Sequence, residues 1–159
     1  MYPSKQSDKL SAMKGMKINA AFWDTSAIVP LCVRQDISQY LRKLWRNTNR
    51  IIVWWGTSIE TRSAVSRLYQ GNFIDARGLQ FALARFEVIR RKWAEIVPSE
   101  KVREIAENLP DAYGLRALDS CQLAAALVWC NGKPNGRIFV CDDAKLSIAA
   151  QKMGFFVKP

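Results

Sequence analysis

Five short runs rich in apolar residues recur along the chain: Ile18–Trp23, Arg50–Trp54, Glu95–Val97, Arg137–Cys141 and Phe155–Val157. Between them lie stretches of helical length: Ser26–Val33 resumed by Asp36–Asn47, Thr57–Gln70 closed by Gly71, Phe73–Trp93, Ser99–Asn108, Arg116–Trp129, and Ala144–Met153 before Gly154. Parallel strands need long crossovers, and helices supply them, so this alternation predicts an α/β fold: a three-layer sandwich around a mostly parallel central sheet. At 159 residues the chain is sized for one domain. That domain is expected at residues 17–159, with residues 1–16 (MYPSKQSDKLSAMKGM) as a polar, flexible tail or a misassigned start.

The nucleotide-cradling loops that often accompany such a fold are absent, since the sequence holds neither GxGxxG nor GxxxxGK[ST]. It also holds no histidine. This excludes Ser-His-Asp hydrolases, Cys-His proteases, His-based zinc enzymes and His general-base ribonucleases together. The four cysteines, Cys32, Cys121, Cys130 and Cys141, form no C-x-x-C pair and read as small buried hydrophobes. Hydrolytic chemistry, if present, must run on carboxylates.

Lys and Arg outnumber Asp and Glu by 24 to 14, a formal charge of +10, and such a surface attracts polyanions, nucleic acid first among them. No apolar stretch reaches the roughly 20 residues of a membrane span, and the N-terminus lacks the apolar centre of a signal peptide. A cytoplasmic protein without a membrane partner is expected.

Asp24 and Asp143 each directly follow a strand-like run, so both project from the carboxyl edge of the sheet, where open parallel sheets bind ligands. Asp119 falls at helical spacing among Leu115, Leu118, Leu123 and Ala126, an odd place for an acid unless it has a task or pairs with a cation such as Arg116. Glu60 can be accounted for locally. Thr57-Ser58-Ile59-Glu60 reads as a capping box, Thr57 at N-cap and Glu60 at N3. Asp24 or Ser26, and Asp142 or Asp143, could likewise cap the helices that follow them. Carboxylates converging on one edge repel unless divalent cations sit between them, and all-oxygen ligands favour Mg²⁺ or Mn²⁺. On a basic protein such a site suits phosphodiester hydrolysis.

Three stretches, FWDTSAIV (22–29), LRALDSCQLAAAL (115–127) and IFVCDDAKL (138–146), resemble the acidic motifs of PIN domains, specifically the VapC-type ribonuclease toxins of prokaryotic toxin–antitoxin pairs. Glu60, in SIETRSAVSR, matches the acidic glutamate of that family. The resemblance implies Asp24, Glu60, Asp119 and Asp143 as metal-binding, catalytic acids; counting back from Leu146 selects Asp143 over Asp142, and Cys141 stands where the family has Thr or Ser. It also implies Mg²⁺- or Mn²⁺-dependent endonucleolytic cleavage of RNA, a small antitoxin that covers the acidic site, and a homodimer. Ser26, Arg62, Arg67, Arg116, Asp142 and Lys145 are candidate substrate contacts beside the acids. Trp23, Trp54 and Trp55 could stack bases, but aromatics beside β-branched runs usually pack inside, and core placement is expected.

Two other readings fit parts of the pattern. A PIN-like module could bind RNA or regulate without turnover. A haloacid-dehalogenase-like phosphatase also places an acid after the first strand, but it needs a second Asp two residues later, and Ser26 is there.

Overall fold

The computed structural model describes residues 17–159, so the expected tail at 1–16 lies outside the described residues. The strands are β1 (Ile18–Trp23), β2 (Thr48–Trp54), β3 (Trp93–Ile96), β4 (Ile138–Val140) and β5 (Phe156–Lys158). All pair in parallel, in the order β3-β2-β1-β4-β5. The helices are α1 (Thr25–Cys32), α2 (Ser38–Asn47), α3 (Thr57–Gln70), α4 (Ala76–Arg90), α5 (Glu100–Tyr113), α6 (Ala117–Trp129) and α7 (Ala144–Met153).

Successive strand residues face opposite sides, and this alternation builds two cores. Phe22, Ile52, Trp54 and Phe139 point to one face and pack against α5, α6 and α7. Ala21, Trp23, Ile51, Val53 and Val140 point to the other, against α1, α2 and α4. Helices on both faces of the sheet make the three-layer α/β sandwich that the sequence predicts. Helix α3 packs against α1 and α4. Among the described residues no helix is long and apolar enough to cross a membrane.

Chain order reverses at β1, whose neighbours are β2 on one side and β4 on the other. A crevice therefore opens beyond the carboxyl ends of β1 and β4, the place where such sheets bind ligands. The backbone N–H of Asp24 donates to the Val140 carbonyl at 2.9 Å, fastening the two strand ends together.

Two helices differ from expectation by three residues or more at an end. The single helix expected over Phe73–Trp93 is shorter at both ends. Asp75 caps α4 by accepting from Gly78 N at 2.7 Å, and Trp93 has left the helix to pair with Ile51 as the first residue of β3. Helix α5 continues past Asn108 through Pro110 and stops where Gly114 takes a left-handed conformation (φ 63°). Proline forfeits one intrahelical hydrogen bond, and buried Leu109 and Ala106 hold the turn around it in place.

Candidate active site

Asp24 follows the last residue of β1 and caps α1. Its Oδ2 accepts from Ser26 N at 2.9 Å and Ser26 Oγ at 2.6 Å, so the cap also fixes the carboxylate's direction. The residue is 4% exposed, and burial pushes its pKa up to about 6 despite those hydrogen bonds; the charge of Asp119 adds to the rise.

Glu60 lies in the first turn of α3, but the expected capping box does not form. The N-cap position is Gly56, without a side-chain cap, and Thr57 is a fully buried helical residue. Tertiary partners have claimed both side chains instead. Glu60 Oε2 accepts from Thr25 Oγ1 at 3.1 Å, and Oε1 accepts from Gln122 Nε2 at 3.2 Å. Desolvation, then the neighbouring Asp24 and Asp119 charges, push Glu60 up to about 7, against the two hydrogen bonds that favour its carboxylate.

Asp119 occupies the first turn of α6, half-buried rather than within the core, and its neighbour Leu118 is exposed. Desolvation and the charge of Asp143 raise its pKa, while Arg116 and Lys145 pull the other way. Among the described residues, none of the four acids is in an ion pair, so the expected alternative of an Asp119–Arg116 pair does not form. Asp143 is exposed and caps α7, accepting from Leu146 N at 2.7 Å. Asp142 is exposed too, and its backbone N–H donates to Ser26 Oγ at 2.9 Å.

The candidate contacts divide. Ser26, Arg116 and Lys145 adjoin the acids, and Arg67 shares a cleft with Glu60. Arg62 does not: it points to α4, where it meets Glu87 at 3.9 Å. The helical period turns residue 62 about 200° from residue 60, which accounts for the separation. Trp23 and Trp54 are in the core as expected, but Trp55 is exposed.

Gln122 is the residue that sequence reasoning missed. It is fully buried in α6, and the two N–H groups of its Nε2 are shared among Thr25 Oγ1 at 2.8 Å, Thr57 Oγ1 at 3.1 Å and Glu60 Oε1 at 3.2 Å, joining α1, α3 and α6. A signal existed: a carboxamide inside LAAAL-type context, three residues after Asp119 and so on the same helical face.

The donor set fits a hard divalent cation. It is all oxygen, neighbouring acids raise the pKa values of Asp24, Glu60 and Asp119, and the Gln122 Oε1 in the same group is buried without a partner among the described residues. Among those residues no three His, Cys, Asp or Glu side chains stand close enough to hold one ion together as they are. Asp24 Oδ2 and Asp143 Oδ1 each accept from the N-terminus of the helix that follows.

No family model and no curated protein matches the sequence. Among solved structures, the chain is similar to the crystal structure of PAE2754 from Pyrobaculum aerophilum, with 16% identity over 89% of this chain and 90% of that one and a TM-score of 0.59. Likeness at that identity establishes the shared α/β fold.

Proposed function

We propose that this chain is a metal-dependent endoribonuclease of the PIN type, acting as the toxin of a toxin–antitoxin pair. One observation carries the reading: acids from four separate places in the chain, Asp24, Glu60, Asp119 and Asp143, gather at one sheet edge, and among the described residues no cation is paired to them. Acids without an ion-paired cation are expensive to collect for stability alone, because neighbouring carboxylates oppose one another's ionisation.

The four carboxylates would hold Mg²⁺ or Mn²⁺, which when bound polarises a phosphodiester and lowers the pKa of water beside it. The chain's own contribution is positional. Ser26 aims Asp24, while Gln122 and Thr25 aim Glu60 and favour its charged form. Lys145 and Arg116 offer positive charge beside Asp119, suited to holding a phosphate of the RNA strand. Under this reading the partner is a small antitoxin that covers the acidic edge, and the working unit is a homodimer.

The test is cleavage of single-stranded and structured RNA by the purified, partner-free protein with Mg²⁺ or Mn²⁺. Expected are endonucleolytic products, silence in EDTA, and loss of at least a hundredfold in Asp119→Asn. Undiminished cleavage in EDTA would overturn the metal mechanism, and binding without turnover would favour the regulatory module.

A further inference from the structure

We propose that Trp55 is a stacking platform for a base of the RNA strand, set one step from the acidic edge, with Arg67 holding the adjoining phosphate. The inference rests on the ribonuclease reading and adds the element that grips the strand.

A cleft of about 420 Å³ opens beside Glu60 and Thr25, walled by Trp55, Ile59, Leu118 and Arg67 among others. Its size is that of a small-ligand site. Three of its walls are large apolar side chains left open, Trp55 at 46%, Ile59 at 59% and Leu118 at 59% exposure. They come from two segments of chain, so their meeting is tertiary rather than an accident of one helix face.

Gly56 also lines the cleft, and a Cβ there would fall 2.5 Å from Trp54 Nε1 and 3.5 Å from Glu60 Oε1. Arg67 supplies charge. Its Nη1 donates to Ser63 Oγ at 2.7 Å, and among the described residues it joins no ion pair. An exposed aromatic, a guanidinium and a catalytic carboxylate around one cleft is what a single strand requires: a face for the base, a cation for the phosphate, and acids at the bond to be cut. Duplex RNA, whose bases are already stacked, cannot use the indole. A chain with +10 formal charge supplies the long-range attraction.

The experiment measures binding of a labelled single-stranded 12-mer and of the matching duplex to the full protein in EDTA, and cleavage of the same strand in Mn²⁺. Trp55→Ala is expected to weaken single-strand binding on the order of tenfold and raise KM with kcat little changed, since a base–aromatic stack is worth about 1–3 kcal/mol. Trp55→Phe should restore most of that loss, and duplex binding should not change in either variant. Arg67→Gln should lower the slope of log affinity against log salt by about 0.7. Wild-type KM and affinity in a folded Trp55→Ala protein would overturn the platform while leaving the ribonuclease reading intact. Trp55-dependent binding without cleavage would overturn the ribonuclease reading and leave the platform. Absence of RNA binding by the wild type would overturn both.

Discussion

Gln122 Nε2 donates to Glu60 Oε1 across 3.2 Å from a fully buried position in α6. The bond favours the charged form of a glutamate that burial and its acidic neighbours push up to about 7. Gln122→Leu removes this bond and those to Thr25 and Thr57 together, and leaves polar groups unpaired. It should cost about 1–3 kcal/mol of stability. The more telling effect is on titration. Glu60 should move above its wild-type value, so RNA cleavage should fall several-fold at pH 7 and recover as pH rises. A pH–rate profile shifted upward is expected; a profile that is lower but unshifted would make Gln122 a packing residue only.

The raised acids also make the metal-free protein's stability depend on pH. Asp24 rises from 3.8 to about 6 and Glu60 from 4.5 to about 7, so between pH 4 and 7 the folded chain binds more protons than the unfolded one. Stability from these groups is complete below about pH 4 and is lost as pH climbs through 6 and 7. In EDTA the wild type should therefore lose more melting temperature between pH 4.5 and 7.5 than the double variant Asp24→Asn/Glu60→Gln. Asn is as good an N-cap as Asp, so α1 should survive the change. Adding Mn²⁺ at pH 7.5 should raise the wild-type melting temperature by mass action and leave the double variant unmoved. Equal pH slopes in the two proteins would show that these carboxylates are not under strain.

The strand ends were legible because an apolar run that stops abruptly at an acid marks the point where a buried strand reaches the sheet edge, as at Trp23–Asp24 and Val140-Cys141-Asp142-Asp143. Helices α3 and α7 were legible to the residue because Gly71 and Gly154 close them. Glu60 shows why the rest was not. Its local pattern satisfied a capping box, yet its partners, Thr25 and Gln122, are 35 and 62 residues away in sequence. Local hydrogen bonding lost to tertiary hydrogen bonding, and no spacing rule within a helix reports which will win. Arg62 failed for a geometric reason: two residues along a helix is nearly the opposite face.

Asp142 and Asp143 differ in what their side chains do. Asp143 caps α7 through Leu146 N, while Asp142 is engaged through its backbone N–H to Ser26 Oγ. Asp143→Asn keeps the cap and removes the charge that Asp119 feels. It should abolish Mn²⁺-induced stabilisation and reduce cleavage at least a hundredfold, with a melting temperature in EDTA at or above wild type. Asp142→Asn should leave both activities within about threefold, a change of less than 1 kcal/mol. Parallel cleavage assays and melting curves of the two variants decide it, and the reverse order of damage would move the metal-binding acid by one residue.

Cys141 is 1% exposed, with its Sγ 3.5 Å from the Asp143 carbonyl oxygen, 3.6 Å from Ser26 Oγ and 3.9 Å from Asp24 Oδ2, and it accepts from Asp143 N at 3.4 Å. Burial and the Asp24 charge push the thiol up to about 12, so it stays neutral, and a neutral thiol is a weak donor. The strong hydrogen bonds on Asp24 Oδ2 come from Ser26 N and Oγ, and the thiol adds little to them. Cys141→Ser places a better donor there, and stabilising the carboxylate by a hydrogen bond lowers its pKa. A metal binds the deprotonated acid, so lowering the Asp24 pKa by half a unit from about 6 should tighten Mn²⁺ binding about twofold at pH 5.5, with a ceiling of about fourfold. Cys141→Ala, which offers no donor at all, should bind Mn²⁺ no better than wild type at pH 5.5. At pH 8 Asp24 is ionised in all three proteins, and their affinities should converge. Mn²⁺ titrations at the two pH values, with melting curves to confirm folding, test this. Equal affinities for wild type and Cys141→Ser at pH 5.5 would show that proton competition at Asp24 does not govern metal uptake.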